Sequence, residues 1–136
     1  MELTTEITEG TEVFANNSLT EAIIGAAIEV HRELGPGLLE SVYEKCLAFE
    51  LAERGLVVAV QQEVPIGYKG LVFESGFRAD LIVNGTVLIE LKAIDQLLPV
   101  HTAQVLTYLK LSSLKTGLLI NFNVPLVKSG VKRLSL

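Results

Sequence analysis

The stretch that most constrains this chain is FRADLIVNGTVLIELKA, from Phe77 to Ala93. Two runs rich in Val, Ile and Leu flank an Asn-Gly pair, the strongest short-range signal for a β-hairpin. Three ionisable groups, Asp80, Glu90 and Lys92, interrupt the apolar pattern. Charged side chains are almost never fully buried unless they are paired or hold a metal. The hairpin must therefore be a core element that also gives these charges partners.

Side chains alternate faces along a strand. Alternation puts Phe77, Ala79, Leu81 and Val83 on one face and Arg78, Asp80 and Ile82 on the other. On the second strand Val87, Ile89 and Leu91 oppose Leu88, Glu90 and Lys92, so Glu90 and Lys92 project the same way. The place of Asp80 depends on register. A two-residue Asn84-Gly85 turn pairs Val83 with Thr86 and sets Asp80 opposite Ile89, on the wrong face for Glu90. A three-residue loop, Val83-Asn84-Gly85, pairs Ile82 with Thr86 and sets Asp80 opposite Leu88, beside Glu90. A shared site needs the second register or a bulge. The charges gather at the end away from Ile82 and Leu88, where the sheet is expected to open to solvent.

The rest of the chain supplies the layers around this hairpin. Residues 1–17 read as a loose arm, and 18–136 as a single domain. SLTE resembles a capping box, with Ser18 as cap and Glu21 three residues on. Ile23, Ile24, Ala27, Ile28, Val30, His31 and Leu34 then follow at helical spacing. Gly35-Pro36-Gly37 stops that helix. A second helix is expected from about Leu38 to Arg54, then extended segments with turns near Gly67 and Gly70. Pro99 suits the first turn of a third helix over PVHTAQVLTYLKLSSL. TGLLINF reads as a buried strand and GVKRLSL as an edge strand. The order α-α-β-β-β-α-β-β predicts an α/β fold with a mixed sheet flanked by helices.

Composition narrows the function. Hydrophobic residues make up 49% of 136, enough for a sizeable core. No apolar run would span a bilayer and no signal peptide is evident, so no membrane association is expected. The single cysteine, Cys46, excludes an internal disulfide, reads as apolar filling, and fits a cytoplasmic location. A net charge of −5 argues against a general nucleic-acid coat protein, which would present a basic surface. It does not exclude an enzyme that binds cations, since bound metal changes the local charge.

Two carboxylates on adjacent strands form a hard oxygen site suited to Mg²⁺ or Mn²⁺, with room left for waters and a phosphate oxygen. Such a metal lowers the pKa of bound water and neutralises developing charge, and a neighbouring lysine can orient the water. The plain alternative is a salt bridge between Lys92 and Glu90 or Asp80.

At this point the sequence resembles a known family. GLLESVY, Gly37 to Tyr43, matches the signature of the GxxExxY proteins, a group placed in the PD-(D/E)XK nuclease superfamily. Asp80, Glu90 and Lys92 fall where that superfamily carries its D…ExK motif, although Asp80 follows Arg78-Ala79 rather than a Pro. QVLTY, Gln104 to Tyr108, is similar to the Q-x-x-x-Y element of the RecB-type exonuclease branch. The resemblance implies a restriction-endonuclease-like three-layer core and nuclease chemistry. Asp80 and Glu90 would hold the metal, with Glu40 as an additional acidic ligand. Lys92 would position the attacking water, and Gln104 would complete the catalytic set.

Other residues fill in the expected substrate side. Arg78 is the best placed of the sparse cations to meet phosphate, and Tyr108 shares a helix face with Gln104. Glu40 in the first turn of a helix would also be favoured by the helix dipole alone. Tyr43 reads as core packing with its hydroxyl at the rim, His31 as structural or interfacial, and His101 as solvated. The partner is expected to be nucleic acid, DNA ahead of RNA. A bare core of this size offers little surface to grip a duplex, so a homodimer or a partner protein is expected, with the first helix as contact. The rival reading is a non-catalytic interaction or regulatory module that retains the fold.

Overall fold

The structure, a computed structural model, describes the backbone of residues 2–136 and the side chains from Asn17 onward. The arm expected over residues 1–17 lies, but for Asn17, outside the side chains so described. From the N-terminus the elements are α1 (Glu2–Leu34), α2 (Glu40–Glu53), β1 (Val58–Tyr68), β2 (Leu71–Val83) and β3 (Val87–Lys92). There follow α3 (Pro99–Ser112), β4 (Thr116–Asn121), a 3-10 turn (Val127–Gly130) and β5 (Val131–Ser135). The element order is the one expected from the sequence. Helix α1 runs through Ser18, so that residue does not cap a helix start.

The sheet has the order β1-β2-β3-β4-β5, with β3 and β4 parallel and every other pair antiparallel. A parallel pair needs a long crossover, and α3 provides it. Strands β3 and β4 are buried on both faces, as strands covered on both sides must be. One core lies between the sheet and α1 with α2, around Ile23, Leu47, Leu81, Ile89, Leu118 and Phe122. The other lies under α3, around Ala79, Leu88, Val105, Leu109 and Leu119. Each fully buried Leu or Ile side chain contributes about 1.5–3 kcal/mol. This is the expected α/β arrangement, a mixed sheet between helices, consistent with the restriction-endonuclease-like fold.

Two local details depart from the sequence reading. The turn between β1 and β2 sits at Lys69-Gly70, both with positive φ, and Gly67 lies within β1. Pro65 is accommodated at a register shift between Val64 and Ile66 on this edge strand, where a missing N–H is tolerated.

The connection between α1 and α2 explains the GLLESVY stretch. Gly35 and Gly37 take φ of +71° and +96°, left-handed conformations that suit glycine. Tyr43 is fully buried and stacks on Phe122, with ring centroids 4.6 Å apart. Its hydroxyl donates to the Gly35 carbonyl at 2.6 Å and accepts from the Leu38 amide at 3.1 Å. One side chain thus ties the loop shut from inside and fixes where α2 begins. Glu40 stands at that start.

Candidate active site

The register of the β2–β3 hairpin is neither of the two weighed from the sequence. Val83 pairs with Val87, Ile82 with Leu88 and Leu81 with Ile89. The loop is three residues, Asn84-Gly85-Thr86, with φ of +52° and +63° at the first two and Thr86 N–H on the Val83 carbonyl. Continued one step, this register sets Asp80 directly across from Glu90.

At that step the backbone ladder stops and side chains replace it. The Asp80 amide donates to Glu90 Oε1 at 3.2 Å, and the Leu91 amide donates to Asp80 Oδ2 at 2.8 Å. Each carboxylate therefore holds the main chain of the opposite strand. The strict alternation expected along β2 also breaks here. Phe77 and Ala79 pack with Ile82 under α3, whereas Leu81 and Val83 pack under α1 and α2. The change of phase falls at Asp80. Across from it on β1 stands Gln61, between the pairs Val60–Leu81 and Gln62–Ala79, with φ of +51°. A left-handed conformation at such a residue costs on the order of 1–3 kcal/mol.

Glu90 is only 6% exposed, so this end of the hairpin is not open to solvent around both acids as expected. Burial, and then the charge of Asp80, push the Glu90 carboxyl up to about 8. Asp80 and Lys92 are half-buried. Glu40 accepts the Ala93 amide, and burial followed by the nearby Asp80 charge raises its pKa, while Lys92 lowers it. The two ion pairs among the described residues, Arg32–Glu29 and Arg54–Glu50, lie elsewhere. Lys92 makes no ion pair within 4 Å there, which counts against the plain salt-bridge reading.

Helix α3 covers the other side. Gln104 donates to the Tyr108 hydroxyl at 2.8 Å, and Tyr108 stacks on Phe77 with centroids 4.0 Å apart. Burial and the Glu90 charge raise the Tyr108 pKa. A cavity of about 510 Å³ opens beside Lys92, lined by His101, Gln104 and Thr107. His101 is not merely solvated: its Nδ1 accepts the Leu98 amide at 2.9 Å, capping the start of α3. Arg78 is exposed across from Glu63 and makes no hydrogen bond or ion pair to the other candidates among the described residues. Asp80, Glu90, Lys92 and Glu40 are thus drawn together, with Gln104 and Tyr108 along one wall and Arg78 apart.

Three residues of this neighbourhood escaped the sequence reading. Glu44 stands one turn beyond Glu40 on α2, and burial raises its pKa. The i, i+4 spacing of the two acids was a usable signal. Gln61 joins Glu44 to Asp80, and nothing in the sequence marks it. Asn121, 2% exposed, holds Ile94 through both its amide and its carbonyl, at 2.9 and 3.1 Å. With Phe122 N–H on the Lys92 carbonyl, it fixes the chain just past Lys92.

The sequence profile of the PD-(D/E)XK nuclease superfamily matches residues 17–134. The chain belongs to that superfamily. Nucleases of that superfamily generally use divalent metal ions and act on nucleic acid. The crystal structure of SSO0001 superposes with a TM-score of 0.55 at 24% identity, covering 70% of this chain and 48% of that one. This likeness shows the fold, and the chain spans about half the length of that protein. No curated protein matches it. No helix among the described residues is long and apolar enough to cross a membrane.

The donor set suits a hard divalent cation. No group of three or more His, Cys, Asp or Glu side chains forms a ready metal cage among the described residues. A pair of carboxylates is nevertheless what Mg²⁺ commonly takes from a protein, since it keeps several of its waters. Two facing acids with no cation within ion-pair distance among the described residues fit that role.

Proposed function

We propose that this chain is a nuclease dependent on Mg²⁺ or Mn²⁺ that hydrolyses nucleic-acid phosphodiesters. The observation that carries the reading is the exchange of Asp80 and Glu90 across the broken end of the β2–β3 ladder, beside Lys92, which makes no ion pair among the described residues. Asp80 and Glu90 hold the metal, and Glu40 stands behind them and adds to the local negative charge. When bound, the ion supplies charge neutralisation on the phosphate and acidifies a water. Lys92 orients the attacking water from the side open to the cavity, and Gln104 with Tyr108 shapes the substrate wall. Arg78, exposed at the flank, meets the phosphate backbone. The GLLESVY and QVLTY stretches support placement among the GxxExxY proteins and near the RecB-type branch, and with it DNA ahead of RNA. A homodimer or a protein partner, joined through α1, would supply the surface that a duplex needs.

The test is Mn²⁺ titration by calorimetry together with cleavage of single- and double-stranded DNA and RNA, for wild type and Asp80→Asn. Saturable binding and cleavage should both be lost in the variant. Equal binding by the two proteins, with no cleavage by either, would leave the non-catalytic module as the correct reading.

A further inference from the structure

Four non-glycine residues among those described have positive φ: Gln61, Lys69, Asn84 and Ser113. Lys69 and Asn84 form hairpin turns, and Ser113 ends α3. Gln61 stands in the middle of β1, where a left-handed residue has no turn to make. Such an outlier persists only where its surroundings hold it. Its side chain shows what holds it. The Nε2 amide donates to Glu44 Oε2 at 2.7 Å and to Asp80 Oδ1 at 3.3 Å, using both of its hydrogens on acids from two different elements.

We infer that Gln61 is a positioning residue that sets the orientation of the Asp80 carboxylate toward a divalent cation. The inference rests on the reading of Asp80 as a metal ligand. An ionised carboxylate has about four lone-pair directions on its two oxygens. Gln61 occupies one on Oδ1, and the Leu91 amide occupies one on Oδ2. The plane of the group is thereby fixed from two strands, with one free direction left on each oxygen. The same amide stands between Asp80 and Glu44, whose like charges would otherwise push α2 and β2 apart. Gln61 stands directly across from Asp80 in the β1–β2 register, where opposed side chains share a face, and its left-handed backbone falls at the pair where β2 changes phase.

Gln61→Gly separates the amide from the backbone, because glycine adopts the same φ without strain. Gln61→Asn keeps a residue tolerant of left-handed φ but shortens the amide so that it cannot reach both acids. Mn²⁺ affinity of each metal-free protein is measured by calorimetry, with melting temperature alongside. Partners that orient metal ligands typically account for about 10–100-fold in affinity. Gln61→Gly should bind Mn²⁺ about 10–100-fold more weakly at a melting temperature close to wild type, because relief of backbone strain offsets the lost hydrogen bonds, and Gln61→Asn should also bind more weakly than wild type. The Mn²⁺ concentration giving half-maximal cleavage should rise in step, with KM for DNA unmoved. Affinities of both variants within twofold of wild type, while Asp80→Asn abolishes binding, would overturn this inference alone. Wild type and Asp80→Asn binding Mn²⁺ alike would overturn the metal-site reading and this inference with it.

Discussion

The two ends of the β2–β3 hairpin are built from the same kind of strand and held together differently. At the turn end, Val83–Val87 through Leu81–Ile89, backbone pairs with backbone and the side chains fill two cores. Four residues from the turn, carboxylates take over from the ladder, and one of them is buried with its pKa pushed up to about 8. A regular ladder would satisfy those amides without burying an acid. The far end therefore gives up stability for an arrangement of charge, and the turn end supplies it.

The sharpest test of that contrast is pH. The Glu90 carboxyl rises from 4.5 to about 8 on folding, so between those values the folded protein holds a proton that the unfolded chain has lost. Metal-free stability should be greatest below pH 4.5, fall through the window and level off above about 8. The full span corresponds to on the order of 4–5 kcal/mol, and burial of Glu40 and Glu44 acts in the same direction. Urea denaturation in chelator at pH 5 and pH 8 measures it, and Glu90→Gln should flatten most of the slope. Saturating Mn²⁺ should recover stability at pH 8, because it binds the ionised form.

Next in size, Leu88→Ala at the turn end should cost about 2–5 kcal/mol by leaving a cavity in the core under α3. The folded fraction should bind Mn²⁺ with wild-type affinity. A large loss of affinity would mean that the two ends are not separable.

Lys92→Ala should show the reverse pattern. Its metal-dependent cleavage should fall about 100-fold, the scale of one aimed electrostatic group, while stability stays within about 1 kcal/mol of wild type. A strongly destabilised variant that cuts at the normal rate per folded molecule would make Lys92 a structural partner of the acids.

The smallest effect is expected away from the hairpin, where α2 is anchored. Tyr43→Phe removes the hydroxyl that serves both the Gly35 carbonyl and the Leu38 amide, at a cost of about 1–2 kcal/mol in melting experiments. Cleavage should fall only a fewfold, since Glu40 shifts while Asp80, Glu90 and Lys92 keep their places.

Helix order and the buried strands were legible because apolar periodicity, Gly-Pro-Gly and Pro99 are local signals that tertiary packing reinforces. The candidates Asp80, Glu90 and Lys92 were legible as charges in an apolar run. Their geometry was not. The loop took Thr86 instead of Val83, a choice between close turn geometries that sequence does not separate. The change of phase at Asp80 falls opposite Gln61, nineteen residues earlier in the chain, whose side chain bonds partners that come together only in three dimensions. Arg78 followed the strand pattern and still lies apart from the acids, because alternation gives a side and not a distance.

The His31 ring hydrogen-bonds the Val124 carbonyl through Nε2 at 2.8 Å, across 93 residues of chain. Phe122, two residues earlier, supplies the surface on which Tyr43 stacks. During synthesis α1 and α2 therefore emerge long before the groups that anchor them. Chains that grow at about 5–20 residues per second would carry two unanchored helices for several seconds. The parallel joining of β3 to β4 waits on the same late segment, and contacts of such long range are formed slowly. The acids on β2 and β3 can face each other as soon as their hairpin closes. Lys92 gains its fixed place only when Asn121 and Phe122 arrive, so a nascent chain holds the charges of the site well before it holds their geometry.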